Sequence, residues 1–420
     1  MQKPTAKLIM MIYLGFILSA CNTMKPLGSG PFKVQIPWAE RGQDYSIQQV
    51  EIHTLKDVVR MEGDAATIRV NQQSDLRPPE AHFTQVSEGI VIPTDPLSAQ
   101  LFAVYAHMER LLSLESELGI AQFIPRPRLV SIESKIISED TRERILDNAT
   151  FVGSLDLLAV MPISTNSLPI TMNAGVLAHE QFHAIFYHLM LKDLTAADLR
   201  NMDLIKDEWG PEKKDYALEL KTLRERPAAV ETQTNAVDVV EVSQKQIEEN
   251  RMYNNLFILQ ALNEGFADFW GWLYSGDSNF IVRSIPDVRT HREIKVQTRS
   301  LPTEEEIQRL LGKPNKEVYR SMAYFLGTSY ATILRGIAER EGRFEAAQVL
   351  LASLKNIKNI WTKLDHKQKL SPQVIYEILF GTSGEMTVQR CCSILKSLHT
   401  NDIRTSITLK RCETVRDQCL

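Results

Sequence analysis

The spacing of apolar residues divides the chain into a mixed N-terminal part and a helical C-terminal part. Apolar residues alternate with polar ones, or form short runs, in four segments that predict strands: 46–53, 66–70, 127–132 and 155–161. Helical spacing covers residues 97–118 and a second segment that begins near Thr171 or Asn173, either of which can cap it, and continues to about Leu191. Strands followed by long helices predict an α+β fold.

Beyond the second helix the pattern becomes almost wholly helical. Residues 192–250 are rich in charged side chains and predict a solvated helical insertion. Apolar residues then recur at helical spacing in five segments: 257–274, 318–340, 343–357, 372–380 and 386–398. The predicted order is an α+β lobe over 46–191, the insertion, a helical lobe over 251–400 and a cysteine-containing tail over 401–420.

The first 45 residues have the character of an export signal and a tether. Two lysines precede an apolar run over 8–20, which is too short to span a bilayer and fits a secretory signal. The segment LSAC at 18–21 resembles the bacterial lipobox, which implies cleavage after residue 20 and lipidation of Cys21. Asn22 then favours the outer membrane, and an ordinary signal peptide is the alternative. Residues 21–45, with several Gly and Pro, predict a tether.

Charge and cysteine content narrow the class of protein. The net charge of −4 at pH 7 is spread without long blocks and gives no reason to expect a nucleic-acid partner. Four late cysteines in an exported chain favour two disulfides that pin the C-terminal tail: Cys391, Cys392, Cys412 and Cys419. Their pairing stays open, and a Cys₄ zinc site is the alternative, disfavoured by the spacing.

The segment HEQFH at 179–183 carries the candidate chemistry. On a helix, His179 and His183 lie one turn apart on the same face, so both imidazoles can bind one small cation. Glu180 lies beside them, where it can take a proton from a metal-activated water. An amphipathic core helix with two hydrogen-bonded histidines is the alternative interpretation of these five residues.

A second segment, LNEGFAD at 262–268, carries a family resemblance. The pair H-E-x-x-H and N-E-x-x-x-D resembles the gluzincin zinc metallopeptidases, including thermolysin-like and fungalysin-like enzymes. The resemblance implies a two-lobed zincin-like fold, Glu264 as the third zinc ligand and Asp268 as the residue that orients His179. A ligating imidazole usually donates its other N–H to a carboxylate, which agrees with that role for Asp268.

The same resemblance implies residues that contact a peptide substrate. Asn148 and Ala149 match a pair on the edge strand that binds extended peptide in those enzymes, although a plain turn fits this short match equally. Within YFLGTSYA at 324–331, Tyr324 stands where fungalysin-like enzymes place an oxyanion-binding histidine. A core aromatic is the alternative for Tyr324, and Tyr319 and Tyr330 are further candidates for the same role.

Together these features lead us to expect a lipid-anchored zinc endopeptidase of the bacterial envelope, with Zn²⁺ as its cofactor and peptides or proteins as substrates. Two other interpretations stay open. One is a catalytically inactive, zincin-like binding or structural lipoprotein, and the other is an aminopeptidase. The intact Glu180 favours an active enzyme, because metal binding alone does not require that carboxylate.

Overall fold

The structure is a computed structural model, and it describes residues 31–72, 75–87, 89–137, 142–164, 167–193, 234–285, 292, 294 and 316–363. The α+β class expected from the sequence is confirmed, because strands fill the first part of the described chain and helices the second. Cys21, the four late cysteines and the segments 372–380 and 386–398 lie outside the described residues.

Eleven described strands form two sheets. The strands are β1 Phe32–Trp38, β2 Ser46–Ile52, β3 Leu55–Asp57, β4 Glu62–Gly63, β5 Ala66–Gln72, β6 Asp75–Arg77, β7 Phe83–Ser87, β8 Ile90–Pro93, β9 Arg128–Ile132, β10 Ala149–Val152 and β11 Leu157–Val160. The smaller sheet has the order β2-β1-β8-β7, and the larger has β10-β11-β9-β5-β4-β3 with β6 beside β5. All four predicted strand segments are present.

Strand β10 lies at one end of the larger sheet. It pairs antiparallel with β11, with Ala149 opposite Val160 and Val152 opposite Leu157. Strands β11, β9 and β5 then run parallel to one another. Within the described residues, β10 therefore has one edge without a strand partner, and the helix Ala174–Phe186 packs beside this strand.

The prediction of a tether over 21–45 is wrong for residues 32–38, which form β1. Phe32, Val34, Ile36 and Trp38 are all buried, while the residues between them are more exposed. This alternation is that of a strand with one face on the core. Pro37 and the nearby glycines suggested a tether, but the apolar period of two decides the structure.

Six helices complete the described fold: α1 Pro96–Glu117, α2 Ala174–Phe186, α3 Thr234–Ser275, α4 Phe280–Ser284, α5 Lys316–Glu341 and α6 Arg343–Lys363. A π-helical turn, Tyr187–Leu191, follows α2 directly. Helix α3 runs without a break across the boundary at 250 that the sequence predicted between insertion and helical lobe. None of the described helices combines the length and apolar character needed to cross a bilayer.

Candidate metal centre

Helix α2 is the element that carries HEQFH, and its surroundings explain why it forms there. Asn173 caps it, because its Oδ1 accepts from the backbone N–H groups of Gly175 and Val176, both at 3.1 Å. The Asn173 amide also donates to the Phe280 carbonyl at 2.7 Å. Every residue of α2 except His183 is buried, as expected of a helix that is apolar on nearly all sides. His179, Glu180 and His183 therefore stand on a helix that is packed on nearly all sides.

Two imidazoles on α2 converge on one point. The Nε2 atoms of His179 and His183 lie 3.1 Å apart, and the two rings are nearly perpendicular. Together with Glu180 they form a set of three ligand-type side chains whose donor atoms lie within 4.8 Å of one another. The i, i+4 spacing produces this convergence, as the sequence predicted.

The outward-facing nitrogen of each imidazole meets an oxygen from α3. His183 Nδ1 lies 3.0 Å from the Oδ1 of Asn263, so this nitrogen donates to the amide oxygen. His179 Nδ1 lies 3.1 Å from Asp268 Oδ1, although the N–H does not point straight along that line. Donation through Nδ1 leaves the lone pair of a neutral imidazole on Nε2. When both rings are neutral, their two lone pairs repel each other, and a shared cation would remove that repulsion.

Glu264, also on α3, lies opposite the two histidines. Its Oε2 is 3.5 Å from His179 Nε2, and its Oε1 is 3.9 Å from His183 Nε2. Burial opposes ionisation of Glu264, but the two histidines and a nearby arginine outweigh it and hold its pKa well below the usual range. An ionised carboxylate facing two imidazole nitrogens has the donor set of a zinc site.

Glu180 has a different environment from Glu264. It is only 6% exposed, and its Oε2 has no hydrogen-bond partner within the described residues. Burial raises the pKa of Glu180 to about 8, against the lowering effect of His179 and of a backbone hydrogen bond from Phe151. A cation bound between the histidines would lower this pKa, because an adjacent positive charge favours the carboxylate. Glu264 thus faces both imidazole Nε2 atoms from the opposite helix, whereas Glu180 has one carboxylate oxygen with no hydrogen-bond partner within the described residues.

Burial and charge also separate the two histidines. Burial disfavours a charged His179, but the adjacent Asp268 and Glu264 carboxylates outweigh it and raise its pKa to about 9. Burial lowers the pKa of His183 to about 4. The carboxylates beside His179 thus favour its charged form, whereas burial favours the neutral form of His183.

Close helix packing brings the two halves of the centre together. The Phe182 ring on α2 packs against Phe266 and Trp270 of α3, with ring centroids 6.4 and 5.6 Å apart. On the far side of α3, a Cβ placed on Gly265 would lie 2.1 Å from the carbonyl oxygen of Gly327 on α5. Glycine is therefore required next to Glu264, because any side chain there would push α3 away from α5.

An arginine completes the centre. Arg292 Nη2 lies 2.7 Å from Asp268 Oδ1, 3.2 Å from Glu264 Oε2 and 3.3 Å from His179 Nε2. Its guanidinium carbon lies 4.3 Å from the centre of the Tyr324 ring. Burial disfavours the charge on Arg292, but Asp268 and Glu264 outweigh it and raise its pKa above the usual range.

The predicted substrate residues have mixed positions. Ala149 is the first residue of β10 and is buried, and Asn148 precedes it, accepting from the Met161 N–H through its carbonyl at 2.9 Å. The pair thus lies where a bend meets an edge strand. Asp147, with a positive φ of 52°, lies in the bend, and Ala149 begins the strand. Tyr324 is partly exposed under Arg292, whereas Tyr330 is fully buried. The side chain of Tyr319 lies outside the described residues.

Two residues of this centre were missed from the sequence. Asn263 is the first letter of N-E-x-x-x-D, so the motif itself held the signal for a partner of His183. Arg292 had no comparable signal, since it belongs to a segment with no motif and reaches the centre only through the tertiary fold. A further buried histidine, His188, lies outside the centre, with its Nε2 2.9 Å from Asp156 Oδ1.

Comparison with known proteins adds no family to this picture, since no protein-family model matches the chain and no curated protein matches its sequence.

Proposed function

We propose that the protein is a zinc-dependent peptidase of the gluzincin type, with a zincin-like, two-lobed arrangement of helices around the metal. The observation that supports this most strongly is the meeting of two histidines from one helix with Glu264 from another. Three protein ligands that leave one position open are typical of catalytic zinc, whereas structural zinc sites usually have four.

His179, His183 and Glu264 would hold the ion. Zinc in such a site supplies Lewis acidity, which makes a water more acidic and a carbonyl carbon more reactive. Asn263 and Asp268 would favour the tautomer of the two imidazoles that leaves the lone pair on Nε2. The ligand geometry is thereby set by α3 as much as by α2.

Glu180 is the proposed general base and acid. It would take a proton from the attacking water at its carboxylate and deliver that proton to the leaving amine. The unpartnered Oε2 is available for this transfer, since within the described residues nothing hydrogen-bonds to it. A cation held between the histidines would favour the ionised form of Glu180, which is the form that a general base needs.

The edge of β10 that has no strand partner within the described residues is the proposed peptide-binding element. An extended peptide can add to a sheet edge through main-chain hydrogen bonds, which place few demands on its sequence. Phe151 connects β10 with the proposed general base, because it belongs to this strand and its backbone hydrogen-bonds to Glu180. This arrangement would bring a scissile peptide bond beside the general base.

Tyr324 is the proposed donor to the oxyanion of the tetrahedral intermediate. It is partly exposed and its ring lies beneath Arg292, next to the ligand set. A phenol O–H can donate a hydrogen bond to such an oxyanion. Tyr324→Phe removes that donor and keeps the ring.

The proposed location is the bacterial envelope, with the chain anchored through lipid on Cys21. Cys21→Ser should move the protein from the membrane fraction to the soluble fraction of cells. Unchanged fractionation would count against lipidation.

The test of the proposed function compares the wild type with Glu180→Gln in a casein-cleavage assay, with the metal content of each measured in parallel. The wild type should hold about one zinc per molecule and cleave casein. Glu180→Gln should keep the zinc and lose about 10²–10⁴-fold in cleavage rate, the usual contribution of general acid–base catalysis. Equal cleavage by both proteins would overturn the role of Glu180, and zinc binding without cleavage in the wild type would favour a binding protein.

A further inference from the structure

Arg292 engages the atoms that the proposed metal site needs. Its Nη2 lies 3.2 Å from Glu264 Oε2 and 3.3 Å from His179 Nε2, which are two of the proposed ligand atoms. The same nitrogen lies 2.7 Å from Asp268, the residue that orients His179. One positive group is thus shared among a ligand carboxylate, a ligand imidazole and the carboxylate behind it.

The position of Arg292 is well anchored. Its side chain is only 13% exposed and stacks on Tyr324, with 4.3 Å between guanidinium carbon and ring centre. Two residues further on, Ile294 is fully buried, and its carbonyl accepts from Arg335 Nη1 at 2.5 Å. The guanidinium of Arg335 in turn lies over the Trp272 ring at 5.2 Å. Arg292 is therefore a fixed part of the centre rather than a surface side chain that happens to approach it.

The contacts of Arg292 affect the charge balance of the buried site. Glu264 and Asp268 are two acidic side chains on one buried helix face, and without a nearby cation their burial would be strongly unfavourable. Arg292 supplies such a cation in the metal-free protein. A divalent ion bound between the histidines would take over that neutralising role and would repel the guanidinium beside it.

We propose that Arg292 is a resident counter-ion of the metal centre, which stabilises the metal-free fold by neutralising Glu264 and Asp268 and thereby weakens the binding of the metal. This inference rests on the proposed metal site but does not depend on peptide hydrolysis. In this role Arg292 is a positioning residue, because it acts through the ligands.

The experiment titrates Zn²⁺ into metal-free wild type, Arg292→Gln and Arg292→Lys, with a competing chelator to measure tight binding. Arg292→Gln should bind Zn²⁺ about tenfold more tightly or better, within the range by which neighbours of metal ligands change affinity. Arg292→Lys, which keeps the charge, should stay near the wild type. The metal-free Arg292→Gln protein should also melt at a lower temperature than the metal-free wild type.

The sign of the change separates this role from a merely structural one. Damage to the fold weakens metal binding, so a gain in affinity cannot arise from it. Arg335→Gln is the matched control, since it removes a positive charge that anchors the same segment but is not among the groups described as contacting the ligand atoms. It should leave Zn²⁺ affinity unchanged or weaken it.

Two results would overturn the inference, and only one of them would also overturn the proposed function. If the wild type binds Zn²⁺ and Arg292→Gln binds it equally or more weakly, Arg292 is not a counter-ion that opposes the metal, and the proposed function survives. If the wild type does not bind Zn²⁺ at all, both the inference and the proposed function fail. Should Arg292→Gln not fold, Arg292→Met, which keeps the packing on Tyr324, gives the same comparison.

Discussion

Two clusters in this molecule contain the same kinds of side chain but differ in how their donors and acceptors are arranged. One is the candidate metal centre, with two histidines, Glu264, Asp268 and Arg292. The other, here called the Asp156 cluster, consists of Arg128, Asp156 and His188. In the Asp156 cluster a single oxygen, Asp156 Oδ1, meets Arg128 Nη1 at 2.8 Å and His188 Nε2 at 2.9 Å.

The difference lies in the balance of donors and acceptors. In the Asp156 cluster two nitrogen groups share one carboxylate, and buried nitrogens of Arg128 and His188 are left without a partner in the described structure. Such a cluster has surplus donors and would repel a cation. In the candidate metal centre the balance is reversed, since one guanidinium nitrogen is shared by the carboxylates of Glu264 and Asp268 and by His179 Nε2. Residue types alone therefore do not define a metal site, and the direction of the lone pairs decides.

The largest expected effect comes from changing one histidine in each cluster. His183→Ala should weaken Zn²⁺ binding by more than about 100-fold, because losing a ligand costs more than losing a neighbour of a ligand. His188→Ala should leave Zn²⁺ affinity unchanged and lower stability by about 1–3 kcal/mol, because Asp156 loses a buried partner. Zinc titration and chemical unfolding of both variants measure the two effects. Weak Zn²⁺ binding by His188→Ala would erase the distinction between the clusters.

A smaller effect is expected at the residue that orients His183. Asn263→Ala removes the oxygen that lies 3.0 Å from His183 Nδ1, and Zn²⁺ affinity should fall by about tenfold or more. Asn263→Asp, which keeps an acceptor at that position, should bind Zn²⁺ at least as tightly as the wild type. If both substitutions had the same effect on Zn²⁺ affinity, the hydrogen bond would not be the cause.

The packing behind the metal centre gives the third prediction. Gly265→Ala should destabilise the protein by about 1–3 kcal/mol, because the new Cβ would meet backbone rather than a movable side chain. Gly327→Ala adds a Cβ to the same contact from the α5 side. The loss of unfolding free energy in the double variant should therefore be smaller than the sum of the two single losses. Urea unfolding of the three variants provides the comparison, and strict additivity would show that the two glycines do not share one contact.

The smallest effect concerns pH and the Asp156 cluster. Burial opposes ionisation of Asp156, but His188 and Arg128 outweigh it and lower the pKa to about 2 from 3.8. Stability from this pairing is therefore fully present above pH 3.8 and is lost as pH falls towards 2. Since the side chain is 31% exposed, we expect about 1 kcal/mol. Asp156→Asn should flatten the stability curve in this pH range, and an unchanged curve would contradict the pairing.

The same contrast explains what the sequence could predict. Local sequence patterns predict the helix around HEQFH, its Asn173 cap and the strand segments, since each of these depends on residues that are close along the chain. Arg292 and the Asp156 cluster depend on contacts between distant segments, and no spacing along the chain reveals them. Strand β1 was missed because its Pro and the preceding Gly-rich stretch outweighed a regular alternation.

The most direct test of the metal centre is an anomalous difference map, recorded at the zinc edge from crystals of the zinc-loaded protein. The proposed site predicts one strong peak bonded to His179 Nε2, His183 Nε2 and the Glu264 carboxylate, with no peak at the Asp156 cluster. A map without that peak, or one with zinc beside His188 and Asp156 instead, would contradict the assignment of this centre.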